Sequence, residues 1–170
     1  MDYYLKQVKE FRDLVGLKQT EEQHAKLYQE ESLELDTATT KALLADAYAD
    51  CVVVMAGWCL DCPDKAVHFD DFINAVIGDA HDAGIDLRAA FDTVHTSNMS
   101  KVCESADIIP TASKYNLMGI ETVCRRVGYN LYAFYSAKDH TGKLSDFIEG
   151  KLLKPVCYVA PDWSKKGWEL

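Results

Sequence analysis

Apolar residues recur at helical spacing over most of the first hundred positions. Leu5, Val8, Phe11 and Val15 lie near one face of residues 2–15, which predicts a first helix ended by Gly16. Thr20 followed by Gln23 has capping-box spacing, and Glu21 and Glu22 suit a helix N-terminus, so a second helix is predicted from about 21 to 36. Asp36 to Thr40 form a short polar turn, and a third helix runs from Lys41 to about Leu60. So short a connection makes helices two and three an antiparallel pair. The longest apolar run, Cys51 to Leu60, falls well short of the ~18 residues a membrane span needs, and reads as a core helix.

Cys62 to Asp71, with Pro63, read as a loop. Further helices are predicted from Phe72 to about Ala83, stopped by Gly84, and from Leu87 to about Val102, capped by Asp86. A sixth is predicted from about Ala112 to Val127, between Pro110 and Gly128. The pattern then changes. Tyr129 to Tyr135 are rich in strand formers, Thr141-Gly142 is a turn signal, and Lys151 to Ala160 read as a second extended piece. The expected fold is mainly α, a helical bundle with a small, partly β C-terminal appendage. It forms one domain over 1–170, with a core of about 2–102 and an insertion and extension over 103–170.

The chain has 170 residues, 48% hydrophobic and 26% charged, which is an ordinary globular composition able to bury a core. Its formal charge of −9 argues against a nucleic-acid surface. It leaves room for a phosphate-bearing small molecule, because carboxylates can hold a divalent cation that supplies the positive charge. No basic segment followed by an apolar stretch opens the chain, so a cytoplasmic location away from membranes is expected. The six cysteines, Cys51, Cys59, Cys62, Cys103, Cys124 and Cys157, then read as reduced thiols. Cys59 and Cys62 have the spacing of half a zinc site, but no second CxxC or CxxH completes it, and structural thiols are expected.

Two carboxylate clusters carry the chemistry. Glu30, Glu31 and Glu34 crowd one side of helix two, where like charges repel. Asp46 and Asp50 stand one turn apart on helix three. At 100° per residue, Leu43, Ala47, Asp50 and Val54 fall within about 60° of one another, so Asp50 interrupts an apolar stripe. An unpaired carboxylate there needs a cation. Residues 42–57 contain no Lys or Arg. Antiparallel pairing sets the clusters opposite each other, and oxygen-only ligation favours Mg²⁺ or Mn²⁺.

Glu30-Glu31-Ser32-Leu33-Glu34 followed by Asp46-Ala47-Tyr48-Ala49-Asp50 resembles the EExxE and ExxD metal motif of the MazG-like all-α nucleoside triphosphate pyrophosphatases. That superfamily includes dimeric dUTPases and phosphoribosyl-ATP pyrophosphohydrolases. Gly84-Ile85-Asp86-Leu87 through Phe91, then Val94-His95-Thr96-Ser97-Asn98-Met99-Ser100-Lys101, is similar to the segment that closes the core in its phage and bacterial members. Gly150 to Pro155, with Tyr158 and Pro161-Asp162, is similar to their C-terminal extension. The resemblance covers about 5–58, 82–102 and 150–162. It departs at position 47, where Ala stands in place of the ExxD acid, and at 61–71 and 103–149, which look inserted.

The resemblance implies hydrolysis of a nucleoside triphosphate to monophosphate and pyrophosphate, by water attack at the α-phosphorus. Glu31, Glu34, Asp46 and Asp50 would be metal ligands. Glu30 and Glu31 would take catalytic roles, with Glu30 on a further metal or on the attacking water. Asn98, Lys101, Lys151 and Lys154 would contact phosphate. Phe11, Trp58 and tail aromatics are candidates to stack on the base. Guanine (dGTP or GTP) is named ahead of dUTP and dCTP, and a homodimer or homotetramer is implied. One rival is an HD-type phosphohydrolase built on His81-Asp82 with His24, His68 and His95. Another is a non-catalytic nucleotide- or partner-binding helical module.

Overall fold

The computed structural model describes residues 2–141 and 146–168. They are mainly helical, with six α-helices and a small antiparallel sheet toward the C-terminus. The chain divides into two compact units, residues 1–96 with 161–170, and residues 97–160.

In the first unit, α1 (Asp2–Val15) buries Tyr4, Val8, Phe11 and Val15, a helical stripe. It ends at Gly16, whose φ of +62° suits the residue without a Cβ. The helix α2 (Glu21–Thr37) opens with the expected capping box. Thr20 Oγ1 accepts the Gln23 N–H at 3.3 Å, and Gln23 Oε1 accepts the Thr20 N–H at 2.9 Å. Next, α3 (Lys41–Asp61) starts with Thr40 Oγ1 accepting the Leu43 N–H. Its sequence is apolar nearly all round because α1, α2 and α4 (Phe69–Asp82) all pack on it.

The deepest stripe of α3 is Ala42, Ala45, Ala49, Val52, Ala56 and Cys59, which meets Tyr4, Val8, Phe69, Ile73 and Phe91 in one core. This corrects the stripe read from the sequence. Leu43 is 43% exposed, Asp50 and Val54 are half-buried, and only Ala47 of that set is buried. Small residues let the helices approach closely, so the alanines rather than the larger side chains mark the inward face.

Helix α4 also begins earlier than predicted. Residues Pro63–His68 form a 3-10 turn, and Phe69, 1% exposed, anchors the first turn of α4, where Asp70 and Asp71 act as N-terminal acids. Gly84 (φ +69°) ends that run. Asp86 Oδ1 then accepts the Ala89 N–H at 3.0 Å to open α5 (Leu87–Met99). Trp163 and Trp168, near the end of the chain, are buried in the same first core.

The second unit corrects four further expectations. Residues Val102–Cys103 are a strand, β1, and not the end of α5. The sixth helix, α6 (Ile108–Leu117), starts earlier than predicted, with Pro110 inside its first turn, where a missing N–H is not needed. It stops at Gly119 (φ +73°). The residues read as its second half are instead the strand β2 (Thr122–Gly128), paired antiparallel with β3 (Leu131–Ser136). Thr122, Val123 and Val127 favour that outcome through their branched Cβ. The hairpin turns at Tyr129-Asn130, with Asn130 at φ +54°.

Strand β3 is central. It pairs with β2 along one edge, and with β1 and β6 (Leu152–Leu153) along the other. Phe134 and Leu153 meet Cys103, Tyr115 and Ile120 in a second core. Within the extended piece expected over 151–160, only Leu152–Leu153 forms strand. The short strands β4 (His140–Thr141) and β5 (Asp146–Phe147) pair separately, and Gly142 of the expected turn lies outside the described residues.

Candidate functional site

The acids of α2 and α3 act together on one thiol. Cys51 is buried (3% exposed), and its ionisation is pushed up to about 12 first by burial and then by the charges of Glu31, Asp50 and Glu34. Three of the five singled-out carboxylates, from both helices, therefore act electrostatically on this one thiol. Glu31 and Asp50 are half-buried and Glu34 is exposed. Asp46 is half-buried one turn before Asp50, and Ala47, at the place of the ExxD acid, is buried. Glu30 is exposed, its carboxylate 3.9 Å from Lys26 Nζ on the outer side of α2. Among the described residues, no three His, Cys, Asp or Glu side chains are drawn into a ready metal-ligand group. The fit to a divalent cation is thus chemical: an all-oxygen donor set and a Cys51 thiol held protonated, hence no thiolate competitor.

The four residues named for phosphate all belong to the second unit. Lys101 Nζ donates to Asn98 Oδ1 at 2.6 Å, so the two form a pair. Lys151 Nζ lies 5.2 Å from the Phe147 ring centre, and Lys154 Nζ 4.6 Å from that of Tyr158. The histidines of the HD reading are dispersed in their contacts. His81 and Asp82 are exposed and paired with each other, His68 is exposed, and His95 stacks on Phe91.

A buried polar network in the first unit was not anticipated. The Arg12 guanidinium, 8% exposed, is ion-paired with Asp61 and hydrogen-bonds Gln19 Oε1 at 2.9 Å. Asp61 Oδ2 also faces His24 Nε2 at 2.8 Å and accepts the Gln19 N–H at 3.0 Å. Burial alone would raise the Asp61 carboxyl. The hydrogen bonds from His24 and Gln19, with the Arg12 charge, outweigh it and hold the group below its ordinary value. His24, 1% exposed, is pushed down by burial and by Arg12, against the pull of Asp61. The resting state is therefore Arg12⁺, Asp61⁻ and a neutral His24.

Gly57 is part of this arrangement. A Cβ there would lie 2.8 Å from Arg12 Nη1, and the guanidinium cannot yield without leaving Asp61 and Gln19. Gly57→Ala is expected to destabilise the protein by about 1–3 kcal/mol. Urea unfolding measures this, and an unchanged midpoint would show that Arg12 is not held.

The same residues set an acid limit. His24 and His95 both lie below the ordinary histidine value, chiefly through burial. Below about pH 6.5 the unfolded chain binds protons that these folded histidines refuse, so stability falls as pH drops. Asp61, also depressed, adds a further loss beginning below about pH 4. The urea midpoint is expected to fall between pH 7 and 5, and His24→Gln to flatten that fall. A wild-type midpoint constant over this range would contradict the neutral, buried assignment.

No family model, curated protein or solved structure matches the chain.

Proposed function

We propose that the chain is a divalent-metal-dependent nucleoside triphosphate pyrophosphohydrolase, releasing monophosphate and pyrophosphate. What supports the reading is that Glu31 and Glu34 of α2 and Asp50 of α3 all act electrostatically on the buried Cys51 thiol, on a stretch of α3 (42–57) that has no basic residue. Carboxylates grouped in this way are an all-oxygen donor set of the kind that suits a divalent cation. Glu31, Glu34 and Asp50 would hold Mg²⁺ or Mn²⁺, with Asp46 from the preceding turn of α3. A bound ion supplies charge to phosphate oxygens and lowers the pKa of a coordinated water. The chain's own part is to fix the acids on two rigid helices and to keep Cys51 protonated and inert. Glu30, at the outer side of α2, would orient water or serve a further ion.

The test is a product assay. Each NTP and dNTP is incubated with Mg²⁺ or Mn²⁺ and the products are resolved. Monophosphate with pyrophosphate supports the reading, and diphosphate with inorganic phosphate refutes it. Ala47, where the family's motif has an acid, favours a second reading, a non-catalytic nucleotide-binding module. Tight nucleotide binding without any product would select that alternative. Homo-oligomerisation, part of the same proposal, is checked by light scattering.

A further inference from the structure

Two buried side-chain nitrogens have no hydrogen-bond partner among the described residues, His24 Nδ1 and Trp58 Nε1. They belong to neighbouring helices, α2 and α3, and their rings are nearly parallel, 7° apart in plane with centres 6.1 Å apart. The chemistry of each atom is fixed. Trp58 Nε1 can only donate. His24 Nε2 faces Asp61 Oδ2 at 2.8 Å, and this ionised carboxylate also accepts from Gln19 and Arg12, so Nε2 carries the imidazole hydrogen. The ring is neutral, which leaves Nδ1 an acceptor. The pair thus offers one donor and one acceptor on neighbouring parallel rings, the acceptor fixed in role by the Asp61 network.

Its position along the helices is also informative. His24 lies about 10 Å of helix from Glu31, and Trp58 about 12 Å from Asp50. Because α2 and α3 run antiparallel, both displacements point the same way. The pair therefore stands one nucleoside's length from the acids, at the same end of the helix pair.

We propose that His24 Nδ1 and Trp58 Nε1 recognise the hydrogen-bonding edge of a nucleobase. A base carbonyl oxygen or ring nitrogen accepts from Trp58 Nε1–H, and a neighbouring base N–H donates to His24 Nδ1. This assignment rests on the triphosphate reading, since the acids place the phosphates at the far end. A base reaching the pair would have to displace Lys65, whose ammonium lies 5.5 Å from the Trp58 ring centre and 2.8 Å from Glu21. A surface ion pair of that kind is displaced at small cost. The site requires an unblocked N–H beside an acceptor, and so distinguishes a nucleotide from a bare polyphosphate.

The experiment is calorimetry with Mg²⁺ on wild type, Trp58→Phe and His24→Gln. The probes are α,β-methylene analogues of the nucleoside triphosphates, with inorganic tripolyphosphate as a probe lacking a base. Trp58→Phe keeps a ring but removes the N–H. His24→Gln keeps a donor toward Asp61 but removes Nδ1. Each variant is expected to bind at least one analogue about 10-fold more weakly and tripolyphosphate unchanged, with the wild-type circular dichroism spectrum. Unchanged affinity for every analogue in both variants overturns the site. So does an equal loss for analogues and tripolyphosphate, or a wild type that binds no analogue. Turnover of the parent nucleotides is measured separately. Base-dependent binding without turnover would refute hydrolysis and keep the site, and turnover insensitive to both variants would do the reverse.

Discussion

Asp50→Asn is expected to lower nucleoside triphosphate turnover by about 10²-fold or more while leaving the helical circular dichroism signal intact. The substitution preserves shape and removes one negative charge from a half-buried position on α3, so the packing of Ala49 and Val52 against the core is untouched. What it changes is the field shared with Glu31 and Glu34 around Cys51. Glu34→Gln should behave alike, because its carboxylate bears on the same point from α2. Glu30→Gln is the informative contrast. That side chain is exposed and lies near Lys26, so its loss should slow turnover less than either of the others. A steady-state rate within a few-fold of wild type in Asp50→Asn or Glu34→Gln would remove the metal-site assignment altogether.

Asp61→Ala is expected to destabilise the fold by about 3–5 kcal/mol, because it leaves a buried guanidinium without its counter-ion. Arg12 is 8% exposed and its other side-chain partner, Gln19, is neutral. The same change strips acceptors from His24 Nε2–H and the Gln19 N–H. For a chain of this length the loss corresponds to a melting-temperature drop of about 10 °C. The double variant Arg12→Met with Asp61→Leu should recover part of it, since replacing both charges removes the desolvation cost that one orphaned charge leaves behind. Calorimetric melting of the three proteins decides the matter. If Asp61→Ala melts within a degree or two of wild type, the network is not buried as described.

How legible these features were in the sequence follows from how local they are. The ends of α1, the capping box at Thr20 and Gln23, the stop at Gly84 and the Asp86 cap depend on residues within one turn, and the structure places them as expected. The stretch after Gly119 was misread because Cys124, Arg125 and Arg126 tolerate a helix, and only pairing with β3 makes 122–128 a strand. The pairing of α2 with α3 was legible because a short turn forces those helices together. The Arg12, Asp61 and His24 network was not, because it joins α1, α2 and the far end of α3. Its one local hint was a charged residue, Arg12, directly beside the buried Phe11. Alanines at 42, 45, 49 and 56 form the inward face of α3, a face that hydropathy, which weights larger side chains, does not single out.

The placement of Trp163 and Trp168 has a consequence for how the protein is made. Both indoles belong to the first core, yet they follow the whole of residues 97–160 in the chain. At a synthesis rate of about 5–20 residues per second, the ribosome needs roughly 3–14 seconds to deliver them after α5 has emerged. Throughout that interval the nascent N-terminal half exposes the apolar surface those rings will cover, which is a window for chaperone capture or for aggregation.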